Sequence, residues 1–132
     1  ELSNLYPDIP ILSEESADSF TLADENACFW CVDPLDGTKE FIKKNDEFTV
    51  NIALVRDGAP VAGVVYAPAL SMLYAGETGS GAFQMPLQPG GEFPAEPALQ
   101  PIECPALPAS GIKVVASRSH RDEPSRCRQS LR

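Results

Sequence analysis

The chain has 132 residues, 43% of them hydrophobic, and a formal net charge of −9. This length and apolar content suit one domain with a modest core and exclude a wholly disordered chain. The acidic balance excludes general nucleic-acid binding, which needs a basic face to neutralise phosphates. The charge is unevenly spread: ten of the nineteen acids lie between Glu14 and Glu47, and six of the ten bases between Lys113 and Arg132. Such a pattern suits a cation site in the first half and an anion contact near the end.

In chain order, residues 1–10, with Pro7 and Pro10, read as an extended approach. Ile11-Leu12 forms a short strand that ends on Ser13-Glu14-Glu15-Ser16, and residues 21–27 read as a polar loop. Phe29 to Val32 is an apolar strand that stops at Asp33. Asp33 and Asp36 flank Pro34, whose ring fixes φ and removes a backbone donor that would compete for the carboxylates. Gly37-Thr38 then turns the chain into a helix start.

Residues 48–56 alternate in character with the period of two that marks a strand. Asp57-Gly58 is a hairpin signal. Val61 to Tyr66, Met72 to Ala75 and, after Gly79-Ser80-Gly81, Ala82 to Gln84 complete an antiparallel series. Residues 85–110, with seven prolines and Gly90-Gly91, read as a long surface loop. Residues 111–116 resume as a strand and deliver Ser117-Arg118-Ser119-His120. Small hydroxyls beside an arginine suit a phosphate, and a helix N-cap followed by solvent-facing charges is the alternative for that tetrapeptide.

Cys28, Cys31, Cys104 and Cys127 give little support to redox or zinc chemistry. Residues three apart in a strand point to opposite faces, and no second close pair completes a zinc site. No signal peptide or spanning apolar run is found, which favours a soluble cytoplasmic protein. The opening without methionine and the polar, basic close suggest a chain truncated at both ends.

If Glu14, Asp33 and Asp36 converge, their mutual repulsion is relieved by cations, and hard oxygen ligands at this spacing suit Mg²⁺. The carbonyl of Leu35 is a further oxygen ligand, and the amides of Gly37 and Thr38 at a helix N-terminus suit a phosphate. An EF-hand loop fails by register: with Gly37 at its sixth position, the first and third would be Val32 and Pro34 and the last Lys43. An aspartyl-phosphate mechanism fails too, because the nucleophile would fall on Pro34. The spacing therefore predicts attack by a metal-activated water, oriented by Thr38 and Glu14, and phosphate monoester hydrolysis.

Ser13-Glu14-Glu15-Ser16 followed by Val32-Asp33-Pro34-Leu35-Asp36-Gly37-Thr38 resembles the paired signature of the inositol monophosphatase superfamily of Mg²⁺-dependent, lithium-sensitive phosphatases. Lys39-Glu40-Phe41 resembles its branch of 3′(2′),5′-bisphosphate nucleotidases, and the likeness extends to the segment at residues 114–120. The resemblance implies an α/β (α+β) layered sugar-phosphatase fold, this chain covering most of the N-terminal, sheet-bearing half. It implies two or more Mg²⁺ ions on Glu14, Asp33, Asp36 and the Leu35 carbonyl, and Thr38 and Glu14 as the catalytic residues. Glu14, Leu35, Asp36, Gly37, Thr38, Ser117, Arg118, Ser119 and His120 would meet substrate.

The implied substrate is a small-molecule nucleotide bisphosphate, adenosine 3′,5′-bisphosphate from sulfur assimilation, with AMP and phosphate as products. A cytoplasmic location is implied, and peripheral association at the inner membrane is allowed. An inositol or sugar monophosphatase and a noncatalytic metal-binding fragment are the alternatives. An upstream Lys-x-Asp element and a downstream Trp-Asp element of the family are not found here, so the chain alone is expected to be inactive.

Overall fold

In the computed structural model, which describes residues 2–19, 28–104 and 106, seven strands cross one sheet in chain order. They are β1 (Ile11–Ser13), β2 (Phe29–Asp36), β3 (Thr49–Arg56), β4 (Ala59–Ala67), β5 (Met72–Glu77), β6 (Gly81–Pro86) and β7 (Gln100–Ile102). The helices are short: α1 (Leu2–Leu5), α2 (Thr38–Ile42) and 3₁₀ turns at Glu14–Ser19 and Pro68–Leu70. No helix among the described residues is long and apolar enough to cross a membrane.

The strands from β2 onward pair antiparallel, as the alternating sequence predicts. The β3–β4 hairpin turns at Asp57 and Gly58 with φ of 52° and 72°. Two successive positive φ values are what a two-residue hairpin turn demands, because only that backbone twist matches the strands on either side. The β1–β2 pair is different: it is parallel, with Ser13 beside Val32. Parallel pairing runs both strands the same way and brings Glu14, just past the end of β1, toward Asp33, the next residue of β2.

Three expectations are corrected. Residues 2–5 form a helical turn instead of an extended approach, and the next residue, Tyr6, lays its ring against Trp30 at 5.7 Å. β2 does not stop at Asp33 but continues through Pro34 to Asp36. Residues 85–110 are not all loop, since Met85-Pro86 finishes β6 and Gln100–Ile102 adds an edge strand. β7 contains Pro101, which an edge strand tolerates because one side of it needs no donor. Residues 111–116 and 117–120 lie outside the described residues.

Lateral register places Cys31, Ala53, Gly63, Gly76, Ala82 and Ile102 in one row across the sheet. Small side chains in the middle of that row leave a hollow on one face. Ala67 and Met85 are the buried apolar residues among those described, and most strand positions are half-buried on both faces. Cys28, Cys31 and Cys104 are free thiols.

Candidate active site

The site is built on a miscount between two strands. Asp33 pairs with Asn51 and Asp36 with Thr49, so three steps along β2 match two along β3. This is a β-bulge, and it has a consequence for direction. In a regular strand, residues three apart face opposite sides of the sheet; one extra residue restores Asp33 and Asp36 to the same side, shared with Asn51 and Thr49. Pro34 lies within the bulge, where a missing donor breaks no ladder bond.

Local hydrogen bonds then fix the loop. Asp33 Oδ1 accepts from the Leu35 amide at 3.0 Å, curling the backbone over Pro34. The Thr38 hydroxyl donates to the Leu35 carbonyl at 3.1 Å. Gly37 joins strand to helix at φ 89°, and a Cβ there would sit 2.8 Å from the Glu47 carbonyl oxygen. Both the left-handed backbone and the close approach require glycine. Phe41 packs edge-on against Phe48 at 5.1 Å, pinning α2 to the approach of β3. α2 is five residues long, so its dipole adds little to the pull of the Gly37 and Thr38 amides on an anion.

Glu14, Glu15, Asp33, Pro34, Leu35 and Thr38 line a cleft of about 290 Å³. The Glu14 carboxyl is pushed above its ordinary value, first by the charge of Asp33 and its hydrogen bond to Asp33, then by burial and the charges of Asp36 and Glu15. Asp36 is turned aside: its Oδ2 accepts from Asn51 Nδ2 at 3.0 Å. The structure thus sets Glu14 and Asp33 in one cleft, where their charges couple, and holds Asp36 on the same face by a separate bond. Among the described residues no three carboxylate, thiol or imidazole groups close into a ready-made cage.

A divalent cation fits this donor set. The ligands are hard oxygens, and the repulsion that raises the Glu14 pKa is what a cation would relieve. A larger hollow of about 410 Å³ lies over β3 to β6, lined by Ala53, Gly63, Tyr74, Gly76 and Ala82. Among the described residues Glu77 is the one carboxylate on its wall, whereas the smaller cleft gathers Glu14, Glu15 and Asp33.

Sequence reasoning missed Asn51 and the bulge. A proline inside a ladder was the available signal for the bulge.

The chain matches the inositol monophosphatase family over residues 1–130 and belongs to that family. It is 44% identical over 122 residues to the 3′(2′),5′-bisphosphate nucleotidase CysQ of Salmonella typhimurium, covering 92% of this chain and 45% of that protein. The structure resembles CysQ from Bacteroides thetaiotaomicron with a TM-score of 0.56 and 42% identity, over 71% of this chain and 35% of the other. It resembles staphylococcal inositol monophosphatase-1 with a TM-score of 0.56 and 27% identity, over 63% and 31% of the two chains. The chain spans less than half the length of the curated relatives it matches.

Proposed function

We propose that the protein is a Mg²⁺-dependent phosphatase that converts adenosine 3′,5′-bisphosphate to AMP and phosphate. The observation that carries this reading is the meeting of Glu14 and Asp33 on one cleft with Leu35 and Thr38, while Asp36 shares the same sheet face. Kinship with a protein named 3′(2′),5′-bisphosphate nucleotidase supports the substrate, and so does Lys39-Glu40 after the threonine.

Glu14, Asp33, Asp36 and the Leu35 carbonyl would hold the Mg²⁺ ions. Bound there, Mg²⁺ supplies positive charge that neutralises the phosphate and makes water acidic enough to attack it. The chain's own groups do the rest. Thr38 Oγ1, exposed and already beside the Leu35 carbonyl, orients the attacking water, and the Glu14 carboxylate accepts its proton. The Gly37 and Thr38 amides receive phosphate oxygens. Ser117, Arg118, Ser119 and His120 would meet the nucleotide. A small-molecule substrate, not a nucleic-acid polymer, agrees with the net charge of −9.

Inositol monophosphate is the second reading, supported by the equal TM-score of 0.56 to an inositol monophosphatase. The test is phosphate release by the complete protein in Mg²⁺, comparing adenosine 3′,5′-bisphosphate with inositol 1-phosphate at equal concentration. Preference for the nucleotide supports the first reading, and preference for inositol phosphate replaces it with the second. Cation binding without turnover of either would make the protein a noncatalytic metal-binding domain.

A further inference from the structure

Among the described residues it is Asn51 whose side chain hydrogen-bonds Asp36, and its own bonding is lopsided. Its Nδ2 donates to Asp36 Oδ2 at 3.0 Å. A carboxylate accepts and an amide oxygen cannot donate, so this contact fixes which end of the amide faces Asp36. The other end, Oδ1, is buried with no hydrogen-bond partner among the described residues. A polar residue kept for stability alone has both ends satisfied, because a buried acceptor left bare costs the desolvation it is not repaid. The amide thus carries a stability cost on its own face of β3, where it stands between Thr49 and Ala53.

Its place in the ladder explains the choice. Asn51 stands directly across from Asp33 and one step diagonally from Asp36, which pairs with Thr49. The bulge makes that double neighbourhood, which Thr49 shares in mirror form, and of the two it is Asn51 whose side chain hydrogen-bonds Asp36. The bond occupies Asp36 Oδ2 and leaves Oδ1 without a hydrogen bond among the described residues. One carboxylate oxygen is thus clamped and the other remains available.

We propose that Asn51 is a positioning residue that presets the Asp36 carboxylate for the divalent cation, by clamping one of its oxygens from the neighbouring strand. The inference rests on the reading of Glu14, Asp33 and Asp36 as a cation site, and it adds the group that orients the outlying ligand. Partners that orient a metal-binding carboxylate are worth roughly 10- to 100-fold in metal affinity.

The experiment is calorimetric titration of Mg²⁺ into the complete protein without substrate, for wild type, Asn51→Ala and Asn51→Val, with melting of the metal-free forms in parallel. The expected result is a roughly tenfold or greater loss of Mg²⁺ affinity in the variants. Their metal-free melting temperature should equal or exceed that of wild type, since the bare acceptor is gone. Valine, a good strand former, serves should alanine weaken the fold. Two outcomes overturn the role of Asn51 alone: variant affinity within twofold of a wild type that binds Mg²⁺, or an affinity loss accompanied by a matching fall in melting temperature. A wild type that binds no Mg²⁺ overturns the cation site and this inference with it.

Discussion

The Thr38 hydroxyl donates to the Leu35 carbonyl at 3.1 Å, so a group assigned to orienting water and a group assigned to holding a cation are in contact before either acts. Thr38→Ala in the complete protein should lower kcat by about 100-fold, the scale of losing a positioned proton-handling group. Mg²⁺ affinity should change little. Thr38→Ser keeps the hydroxyl and should keep most of the rate. A large loss of Mg²⁺ affinity in the alanine variant would reassign the hydroxyl to shaping the Leu35 carbonyl.

Asp36→Asn removes a negative charge from a face that also carries Asp33. Mg²⁺-dependent hydrolysis should fall by about 100-fold or more. The metal-free fold should be as stable as wild type, because like charges near one another oppose folding. Phosphate release and thermal melting check both halves. Retained turnover would remove Asp36 from the site.

Glu14 sets a pH dependence whose sign follows from its neighbours. Asp33 raises its native pKa above the ordinary value, so the native state binds more protons than the unfolded chain between those two values. Stability of the metal-free protein is therefore highest below the ordinary value and declines as pH rises through the raised native one. Melting temperatures across mildly acidic pH should show that decline, and saturating Mg²⁺ or Glu14→Gln should flatten it. A rise in stability across this window would contradict the Glu14–Asp33 contact.

Two glycines with positive φ should respond differently to alanine. Gly58 has open space around its Cβ position, whereas a Cβ on Gly37 meets the Glu47 carbonyl at 2.8 Å. Gly58→Ala should cost about 1 kcal/mol for the backbone alone. Gly37→Ala should cost about 2 kcal/mol or more and lower activity as well, since it displaces Asp36 and Thr38. Urea midpoints give the comparison, and equal costs would mean that the strand–helix junction gives way easily.

The parts of this fold that were legible in the sequence are the local ones. The alternation along residues 48–56 and the Asp57-Gly58 pair each encode their structure within a few residues, and β3 and its hairpin formed where they point. β7 was hidden because Gln-Pro-Ile is too short to show a period; its identity comes from pairing with Ala82 to Gln84. The parallel β1–β2 register that carries Glu14 toward Asp33 joins residues far apart in the chain. Asn51 was illegible for the same reason, since its meaning lies in Asp36, fifteen positions away.

The bulge ties the position of the Leu35 carbonyl to the length of this stretch. Any one side chain between Asp33 and Asp36 can change and leave the two aspartates on one face. Removing one residue there while the flanking pairs keep their register would straighten the bulge and still leave the aspartates, then two apart, on one face, but it would take away the turn in which Asp33 holds the Leu35 amide. Natural variation in this stretch should therefore run to substitutions and avoid single-residue insertions and deletions, whereas the open turn at Gly79 is free to change length.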